Sequence, residues 1–333
     1  MSVLRLSLQN PLLTYEQLAS TPSRQDAIPD DLEEDLRNLG CELIQSAGIL
    51  LKMPQVAMAT AQVLFQRFFY LASLKKFGIV DIGMGALFLS SKICECPVRL
   101  SYLTTVYDYL IKRTKGQENP DPMDGFSQTA YDMKNALVVA EMQILKRLGF
   151  NVHVQLPYGL MVNYLRVLNL TEHERIPNRA WSYLNDSTQT LSLRTPIHVA
   201  YPPPTVACAA IWLAARDEKV RLPESPSPWW ELFDAELEEV RTAAAHVVRL
   251  YRRRLDRPIL PLTSAEVERW ASKEKERTRE EAEAKVEAGE MMETMKVEMG
   301  EEGEVKEEEE KEARERAEAT LKAVAGTGMW SGV

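Results

Sequence analysis

The sequence predicts an all-α protein, two tandem five-helix units followed by a charged tail. Three observations carry this. From Asp30 to about Arg254 apolar residues recur at three- and four-residue spacing, as one buried face of a helix requires. One stretch, Ile79 to Cys96, is apolar or small almost all round, so it reads as a central helix with neighbours on several faces. A second stretch repeats it: Ala86-Leu87-Phe88-Leu89 aligns with Ala210-Ile211-Trp212-Leu213, Lys92 with Arg216, and both runs then reach Val-Arg-Leu, at Val98 and Val220. A spacing of this size fits two copies of one domain-sized unit, not a short-period solenoid.

Taken in order, residues 1–29 are a lead-in with turn signals at Asn10-Pro11, Thr21-Pro22 and Ile28-Pro29, expected to lie outside the cores. The first unit covers residues 30–150. Asp30 and Asp31 open a helix with acidic residues in its first turn, carried on by Leu32, Leu36, Leu39, Leu43, Ile44 and Ala47. Pro54 starts the second helix, which reads as far as Leu74. The third is the Ile79 stretch, where Gly83 and Gly85 give up helix propensity and permit close approach of other helices. A fourth runs through Leu103, Val106, Tyr107 and Leu110, and a loop, Thr114 to Phe126, follows it. The fifth spans Ser127 to Leu148 and stops at Gly149. The second unit covers residues 151–263, with helices at 157–168, 177–191, 203–216, a short one around Trp229–Phe233, and 235–254. Only Asn151–Leu156 joins the two units.

Two charges break the apolar pattern of the first unit. Lys92 follows Leu89 by three and Phe88 by four, so it shares their face. Glu141 falls within the stripe Leu137, Ala140, Ile144, Leu145, Leu148 of the fifth helix. Opposite charges on two core helices allow two readings. One is a structural bridge, or two edge charges that never meet; the other is a charged pair held at a rim for a partner.

The net charge of −9 is unevenly placed. From Ser264 onward 21 Glu stand against 12 Lys and Arg, and Met1–Thr263 is neutral. A neutral globular part argues against nucleic acid as the main ligand, since duplex binding needs a basic footprint. No apolar run is long enough to cross a membrane, and no signal peptide opens the chain, so a soluble intracellular protein is expected. Residues 264–333 carry acid-first pairs four apart, such as Glu307/Lys311 and Glu318/Lys322, with thin apolar periodicity. They read as a disordered or partly helical tail that can be deleted without harm to the rest. The basic run Arg249–Arg257 is either the solvated end of a helix or a nuclear signal.

Nothing points to catalysis. Gly83-Met84-Gly85 lacks the third glycine of a dinucleotide loop, no phosphate loop occurs, and the four histidines are scattered. Cys94 and Cys96 would point about 200° apart on a helix, which disfavours a zinc pair. Cys41 and Cys208 sit in apolar contexts and read as core thiols. No cofactor or metal is expected.

At this point a resemblance becomes specific. Thr21–Asp26 (TPSRQD), Leu39–Tyr70 (LGCELIQSAGILLKMPQVAMATAQVLFQRFFY), Ser90–Pro97 (SSKICECP), Leu145–Val154 (LKRLGFNVHV), Ser182–Ser187 (SYLNDS) and Ala207–Arg216 (ACAAIWLAAR) resemble the cyclins in order, and within them the L type. The resemblance implies two cyclin boxes and a non-catalytic subunit that binds and activates a cyclin-dependent kinase, in the nucleus, in transcription and pre-mRNA processing. It implies that Lys92 and Glu141 are the charged pair that meets the kinase, with Leu89, Ile93, Leu145 and Phe150 as apolar contacts. Transcription or splicing factors are further expected partners. Rival assignments are a T-, K- or C-type cyclin, a cyclin-fold promoter factor, or a scaffold without kinase. The chain departs from the family in three places. Ile93 is followed by Cys94 and then Glu95, where many cyclins carry two acids. Leu43 stands where cell-cycle cyclins carry a peptide-docking Trp, so docking of that kind is not expected. The tail has no Arg-Ser dipeptide, unlike the arginine-serine tails of animal L-type cyclins.

Overall fold

A computed structural model of the chain describes residues 10–185, 195–252, 260–273, 276–277 and 279. Among these every regular element is a helix. The first bundle is built from α3 (Asp30–Leu50), α4 (Gln55–Phe69), α5 (Ile79–Ile93), α6 (Leu100–Thr114) and α7 (Gln128–Arg147), preceded by the short helices α1 (Tyr15–Ala19) and α2 (Pro22–Gln25). The second contains α8 (Tyr158–Val167), α9 (Ile176–Asn185), α10 (Ile197–Ala200), α11 (Pro203–Asp217), a 3-10 turn at Glu231–Phe233 and α12 (Leu237–Arg252).

α5 is the axis of the first bundle. Eleven of its residues, from Ile79 to Ser91, are buried, and it packs against α3, α4, α6 and α7. The glycines explain how so many helices reach it. A Cβ on Gly85 would come within 2.9 Å of both the Ala140 Cβ and the Glu141 nitrogen on α7. α11 plays the same part in the second bundle, against α8, α9 and α12. The two axes end alike. Glu95 and Lys219 both adopt left-handed backbone, at φ 52° and 55°. The next residues, Cys96 and Val220, donate to the carbonyls of Ser91 and Ala215 at 2.8 Å each. Such a close after a helix ties up carbonyls that would otherwise be unpaired. The sequence repeat is thus a repeat of backbone geometry. Its fourth helix shrinks in the second copy to the turn at Glu231–Phe233.

Among the described residues the buried side chains form one cluster per bundle and a third at the junction. At that junction Ala59 and Val63 of α4 and Tyr70, which caps it, meet Val199 of α10. Arg67 donates from Nη1 to the His153 carbonyl at 2.7 Å, and Gln55 from Nε2 to Asn185 Oδ1 at 3.0 Å. Burial without a carboxylate partner lowers the Arg67 pKa to about 10.

Three expectations are corrected. The second helix was expected to reach Leu74 but ends at Phe69; the chain turns there, and Leu74 is fixed by its N–H donating to the Ser23 hydroxyl at 3.1 Å. The lead-in does not lie outside the cores. Ile28 is buried in the first, Leu13 and Leu18 pack on the junction, and buried Thr21 donates to Glu33 Oε2 at 2.8 Å. Glu33, itself buried, is held further by Arg24 at 3.3 Å and Arg37 at 3.6 Å. A buried carboxylate needs such partners, and the lead-in supplies two of them.

The third correction concerns the start of the tail. Residues 264–273 are helical, and the chain returns from the second bundle to cover the first. Leu262 and Val267 are buried in the first core, with Leu260 and Trp270 packed against it. Gly78 lies under this crossing, where a Cβ would come within 3.3 Å of the Thr263 Cα. Glu266 caps the crossing: its Oε2 accepts from the N–H groups of Leu262 at 2.8 Å and Thr263 at 3.1 Å, and Oε1 pairs with Lys115 at 3.4 Å. These bonds hold the carboxyl below its usual pKa although burial acts the other way. A boundary at residue 263 therefore cuts through a packed element. The acid-first pairs beyond residue 280 and most of the Arg249–Arg257 run lie outside the described residues.

Candidate functional site

α5 and α7 present the two unusual charges side by side. The Lys92 Nζ lies 2.6 Å from Glu141 Oε1. The Lys92 side chain is 48% exposed and that of Glu141 14%. Lys92 also lies over the Phe88 ring, 4.0 Å from its centroid, so an aromatic face and a carboxylate aim one cation outward. With Lys92 half in water the attraction is screened, and the pair contributes only about 0–1 kcal/mol to the fold. The bridge exists, and it sits at a rim.

The wheel of α7 shows what it rims. At about 100° per residue, Leu137, Ala140, Ile144 and Leu148 share one side. The first three are buried and Leu148 half-buried. Tyr131, Val138, Met142 and Leu145 share a second side. Three of these are exposed and Leu145 is half-buried. Glu141 falls between the two. An exposed apolar strip along one helix, bordered by a charged pair, has the make-up of a protein-docking surface.

The other candidates cluster at the same end. Leu89 is buried one turn before Lys92, and Ile93 is partly exposed beside it. Phe150 follows the end of α7, with Gly149 at φ 57° and Phe150 itself at φ 60°. Left-handed backbone costs a non-glycine residue roughly 1–2 kcal/mol. Phe150 nevertheless adopts it with 65% of its surface exposed, while its N–H donates to the Leu145 carbonyl at 2.8 Å. Packing in the free chain gives no return for that geometry. Cys94, at the end of α5, is half-buried beside the Thr60 hydroxyl, 3.8 Å away. Sequence reasoning missed Tyr131, Val138 and Met142. Their spacing of seven, four and then three to Leu145 was a legible signal, masked by the stronger buried stripe on the same helix.

The spacing between α5 and α7 gives a test. In Gly85→Ala the added methyl meets α7 backbone, so the helices must separate. Overpacking of this kind costs about 1–3 kcal/mol. It outweighs the gain in helix propensity of up to about 1 kcal/mol. A net loss of about 1–2 kcal/mol is expected in urea unfolding. An unchanged midpoint would show that the two helices part freely.

Among the described residues no group of His, Cys, Asp and Glu is placed to hold a metal, and no helix is long and apolar enough to cross a membrane. The cysteines form no disulfide; burial pushes the Cys208 thiol up to about 12.

A family profile described as "Cyclin, N-terminal domain" matches residues 12–153, which takes in the lead-in from residue 12 and the whole first bundle. Cyclin-L1 of Homo sapiens is 42% identical over 268 residues, covering 80% of this chain and 49% of that protein. Cyclin-L2 of Homo sapiens is 41% identical over 249 residues, 75% of this chain and 46% of that protein. The chain thus spans about half the length of these relatives. Among solved structures, a chain of the yeast RNA Pol II CTD kinase CTDK-1 complex superposes with TM-score 0.59 at 17% identity, covering 81% of this chain and 84% of that one. A chain of the CAK complex from Chaetomium thermophilum bound to ATP-gamma-S gives 0.52 at 16% identity, covering 72% and 76%. At such identities the likeness is one of fold, and it extends across both bundles, beyond the profile. With the profile on the first bundle, the L-type relatives over most of the chain and a two-bundle fold held in common with these complexes, the chain belongs to the cyclin family.

Proposed function

We propose that this chain is the regulatory subunit of a cyclin-dependent kinase that acts in transcription and pre-mRNA processing in the nucleus, and that it has no catalysis of its own. The observation that carries the proposal is the exposed α7 strip of Tyr131, Val138, Met142 and Leu145, with the Lys92–Glu141 pair on its border. The relatives named Cyclin-L1 and Cyclin-L2 support the transcriptional and RNA-processing assignment.

The mechanism follows from the shape of this surface. The kinase side presents a mobile helix whose glutamate must pair with the ATP-site lysine before phosphoryl transfer can proceed. A surface that binds only the competent position of that helix shifts the population toward it. Ile93 and Phe150 offer apolar anchors, and the strip continues the contact along α7. Lys92 and Glu141 offer one donor and one acceptor group at the border, which fixes register more than affinity. The cyclin contributes position, not chemistry.

The test is reconstitution. The purified chain is combined with individual cyclin-dependent kinases, and phosphorylation of a polymerase-tail repeat peptide and of a splicing-factor peptide is measured. The proposal expects at least one kinase to form a stable 1:1 complex and to gain activity by more than tenfold. A chain that binds no such kinase, or binds without any gain, is a scaffold, and the proposal fails.

A further inference from the structure

The second bundle repeats the charge-over-aromatic arrangement of the first but drops its acid. The Arg216 guanidinium lies over Trp212 at 5.4 Å, as Lys92 lies over Phe88. On the last helix, the buried series Leu137, Ala140, Ile144 of α7 corresponds to Val240, Ala243, Val247 of α12. The position of Glu141 is then Ala244, which is buried in the second core. Among the described residues Arg216 therefore has no carboxylate across from it and makes no ion pair. The acids beside it on the chain are engaged elsewhere: Asp217 accepts from the Tyr183 hydroxyl, and Glu218 faces Arg179 at 3.6 Å and Arg175 at 3.9 Å.

Beside Arg216 there is a cavity of about 500 Å³. Arg216 and Arg221 both line it, with Trp212, Trp229 and Trp230. Both arginines are exposed, while Trp212 and Trp230 are half-buried and Trp229 forms the buried floor. Among the described residues Glu224 is the one carboxylate in the lining, exposed on the loop that carries Trp229 and Trp230. Two guanidinium groups that make no ion pair among the described residues share this lining with indole faces, and together they complement a ligand that carries negative charges beside an apolar group. A cavity of this size takes one large side chain and its flanks.

We propose that this pocket is a docking site for an acidic segment of a partner protein, one aliphatic side chain lying against Trp212 and Trp230 and flanking carboxylates pairing with Arg216 and Arg221. The second cyclin box is then an adaptor surface, while the first carries the kinase-facing strip. This reading does not rest on the proposed kinase function, because the pocket is built wholly from residues of the second bundle.

The test uses the full chain and a fluorescein-labelled peptide, Gly-Glu-Glu-Leu-Glu-Glu-Gly, read by fluorescence anisotropy. Saturable binding is expected, weakened about tenfold by Arg216→Ala and by Arg221→Ala singly. The all-Gln version of the peptide should not bind, and replacing its Leu by Ala should weaken it severalfold. Glu224→Gln should tighten binding two- to threefold by removing the one like charge. Raising salt from 50 to 300 mM should weaken the complex, as contacts between exposed charges require. Both arginine side chains are exposed, so circular dichroism melts of the variants should match the parent. Equal affinity for the Gln peptide, no binding at millimolar peptide, or an Arg216→Ala/Arg221→Ala chain that binds like the parent would each overturn the proposal. Kinase activation measured on the same double variant should be unchanged, which separates this site from the Lys92 face.

Discussion

Glu141→Ala is expected to weaken kinase binding by roughly 30- to 4,000-fold while barely altering the melt of the cyclin alone. The two halves of this expectation have separate causes. In the free chain Lys92 is 48% exposed, so water already screens the pair and its loss costs the fold about 0–1 kcal/mol. In a complex the kinase would cover Lys92, and an ammonium left unpaired there costs on the order of 2–5 kcal/mol. At about 1.4 kcal/mol per decade this gives the stated range in Kd. Val138→Ala and Met142→Ala, on the neighbouring strip, should act in the same direction with less force. Calorimetric titration of the kinase with parent and variant, beside thermal melts of each cyclin alone, measures both quantities. Unchanged affinity with a clearly lowered melt would make the bridge purely structural.

Leu262→Ala is expected to destabilise the first bundle by about 2–5 kcal/mol, the usual cost of emptying a fully buried leucine site. For a body of this size that lowers Tm by roughly 4–20 °C. Leu262 is 1% exposed in the first core, far from its sequence neighbours in the second bundle. Truncation should follow the same logic. Ending the chain after Pro261 removes Leu262, Val267 and the Glu266 cap together and should be at least as harmful as the point substitution. Ending it after residue 279 keeps all three and should leave the melt within a degree or two. Differential scanning calorimetry of the three variants separates the cases. Equal stability of the two truncations would return the segment from residue 264 onward to the dispensable tail that its sequence suggests.

Much of this protein is legible in its sequence, and the reason is local. Helix positions follow from a three- to four-residue apolar period, which each segment carries by itself. The central role of α5 follows from being apolar on every side, since such a helix must be surrounded. The repeat is visible because Phe88-Lys92 and Trp212-Arg216 recur in the same frame. Pairing of Lys92 with Glu141 could be anticipated because each lies among core residues and their charges are opposite.

What the sequence could not supply is which apolar surface meets which. Val138 and Met142 have the same hydropathy as buried residues, and only the placement of α5 against the opposite side of α7 leaves them facing water. Val267 and Trp270 lie in a segment dominated by charge, where two apolar residues are too few to form a periodic signal, yet they fit a surface the first bundle leaves open beside Gly78. Leu13, Leu18 and Ile28 stand among turn residues; Ile28 is buried by the first core, and Leu13 and Leu18 are covered at a junction that exists only once both bundles have formed. Periodicity along the chain determined the helices, the repeat and the two odd charges. Contacts between segments far apart in sequence decided which faces are covered, and so which face is left exposed for a partner.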